Sequence, residues 1–341
     1  MNDLNFIVEN IGKDVVEKFR GKTILITGSN GFLGRWFSDV FRHINENILD
    51  NSCDIICADN NIVRKDKREN SIVLNICEKI KTHVLGIDKL DYIINCAGIA
   101  SPKIYKNYPV ETLDVSYLGT RNILELGREF DVESILCFSS SEVYGTPDKD
   151  NIPTTEEYIG LIPTMNDRSC YDIGKKVLET LCHVNYEKYQ SPVKVVRPFN
   201  LYGPKMGLHD NRVLPNFISN VINGKSLKVY GEGTQTRTFC YIADAITTMI
   251  KLLVLGKNGE IYNVGNTNPE IGMKDLAEVV CGVIGKNTNM EVINYPDFYP
   301  SDEPLRRCPD ISKTTSCIDY VPQIPLEKGI IKMYNYYKDK I

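Results

Sequence analysis

Thr23-Ile-Leu-Ile-Thr27-Gly28-Ser-Asn-Gly31-Phe-Leu-Gly34 is the stretch on which the fold turns. A short apolar run reads as a buried strand, and the glycines that follow mark its turn into a helix. Each glycine has its own physical use: Gly28 permits the tight turn, Gly31 lets a pyrophosphate approach the backbone at a helix N-terminus, and Gly34 lets the helix lie close to the sheet. Asp59 ends the second strand-like run, where a carboxylate can hold a ribose diol and repel a 2′-phosphate. The pattern predicts a dinucleotide site suited to NAD rather than NADP. We assign to it Gly28, Asn30, Gly31, Phe32, Leu33 and Gly34, with Asp59, Asn60, Ala97 and Lys175. The basic run Arg64, Lys65, Lys67 and Arg68 is read as a solvated loop, not a phosphate clamp.

Outward from this turn, apolar runs alternate with amphipathic segments: Asp54–Ala58, Ser71–Asn75, Asp91–Cys96, a helix around Glu111–Phe130, Ser134–Phe138 and Val193–Arg197. That alternation predicts an α/β doubly wound parallel sheet, a Rossmann domain over 21–200. Past residue 200, prolines and glycines cut the chain into shorter pieces, which predicts a smaller mixed substrate lobe over 201–341, with segments that exchange between the two. Helices are expected near Val213–Asn223, Asp244–Leu255, Met273–Val283 and Leu326–Lys338. Residues 1–20 form an N-terminal extension, read as one amphipathic helix packed on the main domain.

The chain has 341 residues, enough for about two domains. Its 40 basic residues against 44 acidic ones give a net charge of −4, which supplies no broad basic surface for nucleic acid. No apolar run is long enough to span a membrane, and no secretory leader is recognisable. The 11 cysteines are scattered, and Cys53 and Cys57 have no neighbouring His, so no metal site is expected. Reduced thiols and a cytoplasmic location are the expectation.

Tyr171-Asp-Ile-Gly-Lys175 places a phenol and an ammonium four residues apart, on one helix face. A nearby cation favours phenolate and is expected to lower the tyrosine pKa, so that Tyr171 can take a proton from a sugar hydroxyl. The strand before it closes on Phe138-Ser139-Ser140-Ser141-Glu142, which offers Ser140 as hydrogen-bond partner of the reacting hydroxyl.

With these motifs in place, the chain resembles an extended short-chain dehydrogenase/reductase of the nucleotide-sugar epimerase, dehydratase and decarboxylase group, from Lys22 to about Lys338. Val195-Val-Arg-Pro-Phe-Asn200, Val229-Tyr-Gly-Glu-Gly-Thr-Gln-Thr-Arg237 and Tyr241 with Asp244 carry the resemblance further. It implies a second lobe that grips a nucleoside diphosphate, with Asn200, Arg212, Tyr230 and Arg237 as donors, and a homodimer paired through helices 111–130 and 168–189, where Leu178, Leu181 and Val184 are candidates for the outer stripe.

Ala100-Ser-Pro-Lys-Ile-Tyr105, Arg168-Ser-Cys-Tyr171, His209-Asp-Asn-Arg212 and Pro304-Leu-Arg-Arg307 look like UDP-glucuronate decarboxylases. The resemblance implies catalysis by Tyr171, Lys175, Ser140 and Glu142, with Tyr105, Ser141 and Arg307 about the sugar. In the 4,6-dehydratases the position of Ser141 holds an acid, and a serine is a poor general acid. Ile173 stands where the decarboxylases tend to carry an acid. A C4-epimerase and a 4,6-dehydratase are the alternatives within the group. A redox enzyme releasing a keto sugar with NADH, and a non-catalytic NAD sensor, are rivals from outside it.

Overall fold

Strands apolar on both faces need helices on both sides, and the chain meets that need with a seven-stranded parallel sheet. The computed structural model describes residues 2–62, 71–208, 212–285, 288–295 and 304–340. The sheet strands are β1 (Thr23–Thr27), β2 (Asp54–Asp59), β3 (Ser71–Val73), β4 (Tyr92–Asn95), β5 (Ser134–Phe138), β6 (Val193–Pro198) and β7 (Ile261–Val264), in the order β7-β6-β5-β4-β1-β2-β3. Leu25 pairs with Ile56 on one side and Ile93 on the other. Alternate residues feed opposite cores: Ile24 and Ile26 join Phe37 and Phe41, whereas Leu25 joins Ile93, Ile135 and Leu178.

The expected single helix over 2–20 is two. Gly12 has φ +85°, ending α1 (Asp3–Ile11) and opening α2 (Lys13–Glu17). Apolar spacing survives this break because both pieces still bury Ile7, Ile11, Val15 and Val16 in the same core. α1 lies on α3 (Phe32–Asn47) and on α8, defined below, and Asp3 accepts a hydrogen bond from Tyr241 at 2.7 Å.

The helix expected near 111–130 is also interrupted. α4 (Pro109–Asp114) passes through a π turn at Val115–Gly119 into α5 (Thr120–Glu129). The turn sits where the helix meets α6 (Ser169–Tyr189), and a Cβ on Gly174 would lie 3.0 Å from Ser116 Oγ. Close contact between these helices, not local propensity, accounts for the bulge.

Past residue 200 the chain divides its pieces. α8 (Ile242–Leu255) is buried almost all round, and β7 closes the edge of the large sheet beside β6. α7 (Val213–Ile222), α9 (Met273–Ile284) and α10 (Leu326–Tyr337) build the second lobe, whose Phe217, Leu227, Leu276 and Ile330 continue the core of the sheet. Its short strands were not foreseen. Arg306–Arg307 pairs with Thr236–Arg237, which sets Arg307 and Arg237 side by side. Among the described residues, no helix is long and apolar enough to cross a membrane.

The tightest local constraint is at the first turn. A Cβ on Gly34 would stand 2.3 Å from the Gly28 carbonyl oxygen and 2.6 Å from Ser29 Cα. Gly34→Ala must therefore push α3 off the turn, and a loss of roughly 2–3 kcal/mol is expected. Urea unfolding of the two proteins checks it; equal midpoints and slopes would show that the turn yields freely.

Candidate active site

β1 and β4 are neighbours from which the chain winds in opposite directions, so their carboxyl ends open a crevice at the sheet edge. Gly28, at φ +63°, lies so near β4 that a Cβ would meet the Cys96 and Ala97 backbones at 2.7 Å. A cavity of about 170 Å³ follows, lined by Gly28, Gly31, Asp59, Asn60, Asn75 and Ala97. Asp59 borders it with both oxygens fixed by backbone donors, Asn30 N at 3.0 Å and Asn61 N at 2.7 Å. A Cβ on Gly31 would stand 3.0 Å from the Gly28 oxygen, so a side chain here would crowd the cradle. Together with the N-terminus of α3, these residues fit a dinucleotide.

The other residues assigned to this site divide. Asn30 turns its side chain to Asn61 at 2.7 Å, and Asn60 caps its own turn through Ile62 N at 3.1 Å. Phe32 and Leu33 pack their side chains on the main core and do not line the cavity. The run Arg64–Arg68 lies outside the described residues.

β5 and α6 bring Ser140, Tyr171 and Lys175 together. Tyr171 is hydrogen-bonded to Ser140, and its ring stacks on Tyr105 at 5.5 Å between centroids. Lys175 Nζ lies 5.7 Å from the centre of the Tyr171 ring and donates to the Phe138 carbonyl at 2.6 Å. The expected lowering of the phenol is reversed in this chain: burial pushes Tyr171 up to about 12, with Ser140 pulling the other way. Lys175 is itself lowered to about 8 by burial. Behind them, Glu179 takes a two-pronged bond from Arg197 at 2.7 Å on each arm, and Arg197 also reaches Tyr144 at 2.8 Å. This buried pair locks α6 onto β6 under the site.

Glu142 stands on the far side of Ser140, with Ser140 Oγ accepting from its backbone N–H at 3.2 Å. Its carboxylate is bonded by Arg307 on both oxygens, one at 3.0 Å, and by Arg168. Arg168 also lies 3.6 Å from Asp172. Ser141 is buried at the start of the short turn carrying Glu142. A second cavity, of about 210 Å³, gathers Asn200, Arg212, Tyr230, Gln235 and Arg237 in the second lobe. Asn200 spends one amide proton on the Thr238 carbonyl at 3.0 Å, and Arg237 is steadied by the Thr236 carbonyl at 2.8 Å. His209, Asp210 and Asn211 lie outside the described residues.

Sequence reasoning missed two contributors. Arg168 was visible only as part of a motif, although its place three residues before Tyr171 puts it at the start of the same helix. Gln235 lines the second cavity while donating to Tyr295, and no spacing rule pointed to it. Of the three candidates for an outer stripe on α6, Leu178 belongs to the sheet core, Leu181 packs against that core, and Val184 is exposed. A helix flanked by sheet and neighbour spends most of its apolar residues inward.

A family model described as the NAD dependent epimerase/dehydratase family matches residues 24–265. The chain is 36% identical over 312 residues to UDP-glucuronic acid decarboxylase 6 of Arabidopsis thaliana, covering 90% of this chain and 86% of that protein. It is 33% identical over 332 residues to UDP-glucuronic acid decarboxylase 1 of Xenopus tropicalis, covering 96% and 75%. In fold it is similar to the UDP-glucose 4-epimerase of Thermotoga maritima solved with UDP-glucose, at TM-score 0.81, 22% identity and coverage of 93% and 99%. It is also similar to the dTDP-glucose 4,6-dehydratase of Bacillus anthracis solved with NAD, at TM-score 0.76, 24% identity and coverage of 94% and 97%.

The buried ammonium has a consequence for stability. Below about pH 8 Lys175 is charged in folded and unfolded chains alike, and its burial cost is fully present. From there up to its ordinary value of 10.5 the folded protein sheds the proton while the unfolded chain keeps it, so stability gains with rising pH. Relative to Lys175→Met, the native protein is expected to gain a few kcal/mol between these limits. Denaturant unfolding of both proteins at several pH values checks it; a constant difference would contradict a lowered lysine.

Proposed function

The chain belongs to the NAD dependent epimerase/dehydratase family, and from that premise we propose that it decarboxylates a UDP-hexuronate by transient oxidation at sugar C4. The observation that carries this reading is a Tyr171–Ser140 pair standing beside a carboxylate, Glu142, held by two guanidiniums. The names of the Arabidopsis and Xenopus relatives support it. Gly28, Gly31, Asp59 and Ala97 would hold the NAD, with Lys175 at its reactive end. When bound, NAD would supply the acceptor, and on the way back the donor, of the C4 hydride.

Tyr171 removes the 4-hydroxyl proton, and Ser140 holds that oxygen in line. Lys175, charged at neutral pH and 5.7 Å from the ring, offsets the phenolate that forms. The oxidised sugar is a β-keto acid, so its carboxylate leaves as carbon dioxide while the C4 ketone accepts the electron pair. A proton then adds at C5, on the side of the ring assigned to Glu142 and Arg307. Asn200, Arg212, Tyr230 and Arg237 would grip the nucleoside diphosphate, and guanidinium and amide donors suit its oxygens.

Two further readings belong here. The eleven free thiols suit a reducing, cytoplasmic setting. A homodimer through helices 111–130 and 168–189 is supported by the exposed apolar residues Leu113 and Tyr117 on the first, Val110 just ahead of it, and Val184 on the second, all at least 41% exposed.

Incubation with UDP-glucuronate and NAD, followed by mass spectrometry, should show loss of carbon dioxide with no net gain of NADH absorbance. Loss of water, or an unchanged mass, would replace the reading by dehydratase or epimerase. Tyr171→Phe should cut turnover by at least ~100-fold while UDP binding stays intact. In sedimentation, Leu113→Glu with Val184→Glu should convert a dimer to monomer; a native protein already monomeric would dispose of the dimer.

A further inference from the structure

We propose that Arg168 is a positioning residue that holds Glu142 in register with Tyr171, a role that rests on the decarboxylase reading above. Glu142 is tied from two directions. Arg307 reaches it from a short strand of the second lobe, paired in register with Thr236–Arg237. Arg168 reaches it from the residue that opens α6, the helix carrying Tyr171 and Lys175.

The two ties differ in what they fix. Arg307 ties Glu142 to a strand of the second lobe. Arg168 ties it to the helix that carries the proton-abstracting phenol. Its guanidinium is buried, spans Glu142 and Asp172, and cannot be supplied by a neighbour on its own turn. A sugar whose C4 hydroxyl meets Tyr171 therefore finds a carboxylate toward its C5–C6 end. Removing Arg168 removes the tie between Glu142 and that helix.

The charged groups about Glu142 come from several elements. Arg168 and Asp172 belong to α6 and its start, Arg307 to the second lobe, Tyr171 to α6, and Tyr105 to the helix Pro102–Tyr105. Arg212, at the start of α7, bears on Tyr171 from the nucleotide side. Glu142, Arg168, Asp172 and Arg307 also line a cavity of about 350 Å³ with Leu161 and Pro304, separate from the nucleotide cavity.

The test compares wild type, Arg168→Met and Arg168→Lys, each with NAD and UDP-glucuronate, following carbon dioxide release and UDP binding by calorimetry. Arg168→Met should lower kcat about 100-fold with KM nearly unchanged and bind UDP as wild type does. Arg168→Lys restores the charge but not the fork, so it should recover only part of kcat. An Arg168→Met protein that keeps the wild-type kcat, or whose loss lies in KM, overturns the proposal. Should Arg168→Met not fold, Arg168→Lys carries the test: an undiminished kcat, or a loss that lies in KM, overturns it equally. Wild type that releases no carbon dioxide sinks the decarboxylase reading instead, which separates the two failures.

Discussion

A parallel sheet covered on both faces has only its strand ends to offer a ligand, and that constraint organises this molecule. β1 and β4 lie side by side while the chain leaves them in opposite directions, so the crevice between their ends has no crossing connection to fill it. Gly28 and Gly34 make the crevice deep, because neither position has room for a single carbon atom. The sheet's own candidate site residues sit along that edge: Asp59 at the end of β2, Ala97 after β4, Ser140 and Glu142 after β5.

The second organising effect is the placing of charge in dry surroundings. Lys175 has a carbonyl and no carboxylate as its bonded partner, and burial lowers it. Glu179 and Arg197 are buried as a bidentate pair whose fixed geometry makes a floor between α6 and β6. Glu142 is treated differently again, with a guanidinium from each lobe. One charge is left poised, one pair is neutralised for rigidity, and one carboxylate is shared between lobes. Lys175 and Glu142 are the two that face reacting groups in the proposed chemistry.

The second lobe is joined to the first by core, not by a hinge alone. Phe217, Leu276 and Ile330 continue the apolar cluster that begins at Ile24 and Phe41, and α8 and β7 are second-half segments built into the sheet domain. α1 braces the same junction, lying on α3 and α8 and bonding Tyr241 through Asp3. This continuity lets Arg307, on a second-lobe strand paired with that of Arg237, reach Glu142 beyond the end of β5.

Local pattern determined the strands of the sheet, the glycine turn, the placing of Tyr171 four residues before Lys175, and the helices of the second half, because each is written in spacing of two or of three to four residues along the chain. Asp59 and Ser140 were legible for the same reason: they stand at strand ends, and strand ends in such a sheet share one edge. Tertiary structure alone decided the rest. The break at Gly12, the π turn at Val115–Gly119, the inward use of Leu178 and the convergence of Arg168 with Arg307 on Glu142 depend on contacts between residues distant in sequence. So does the ionisation of Tyr171: spacing put a cation beside it, but burial, which raises a phenol, comes from the packing of elements around it, and no count of residues along one helix can supply that.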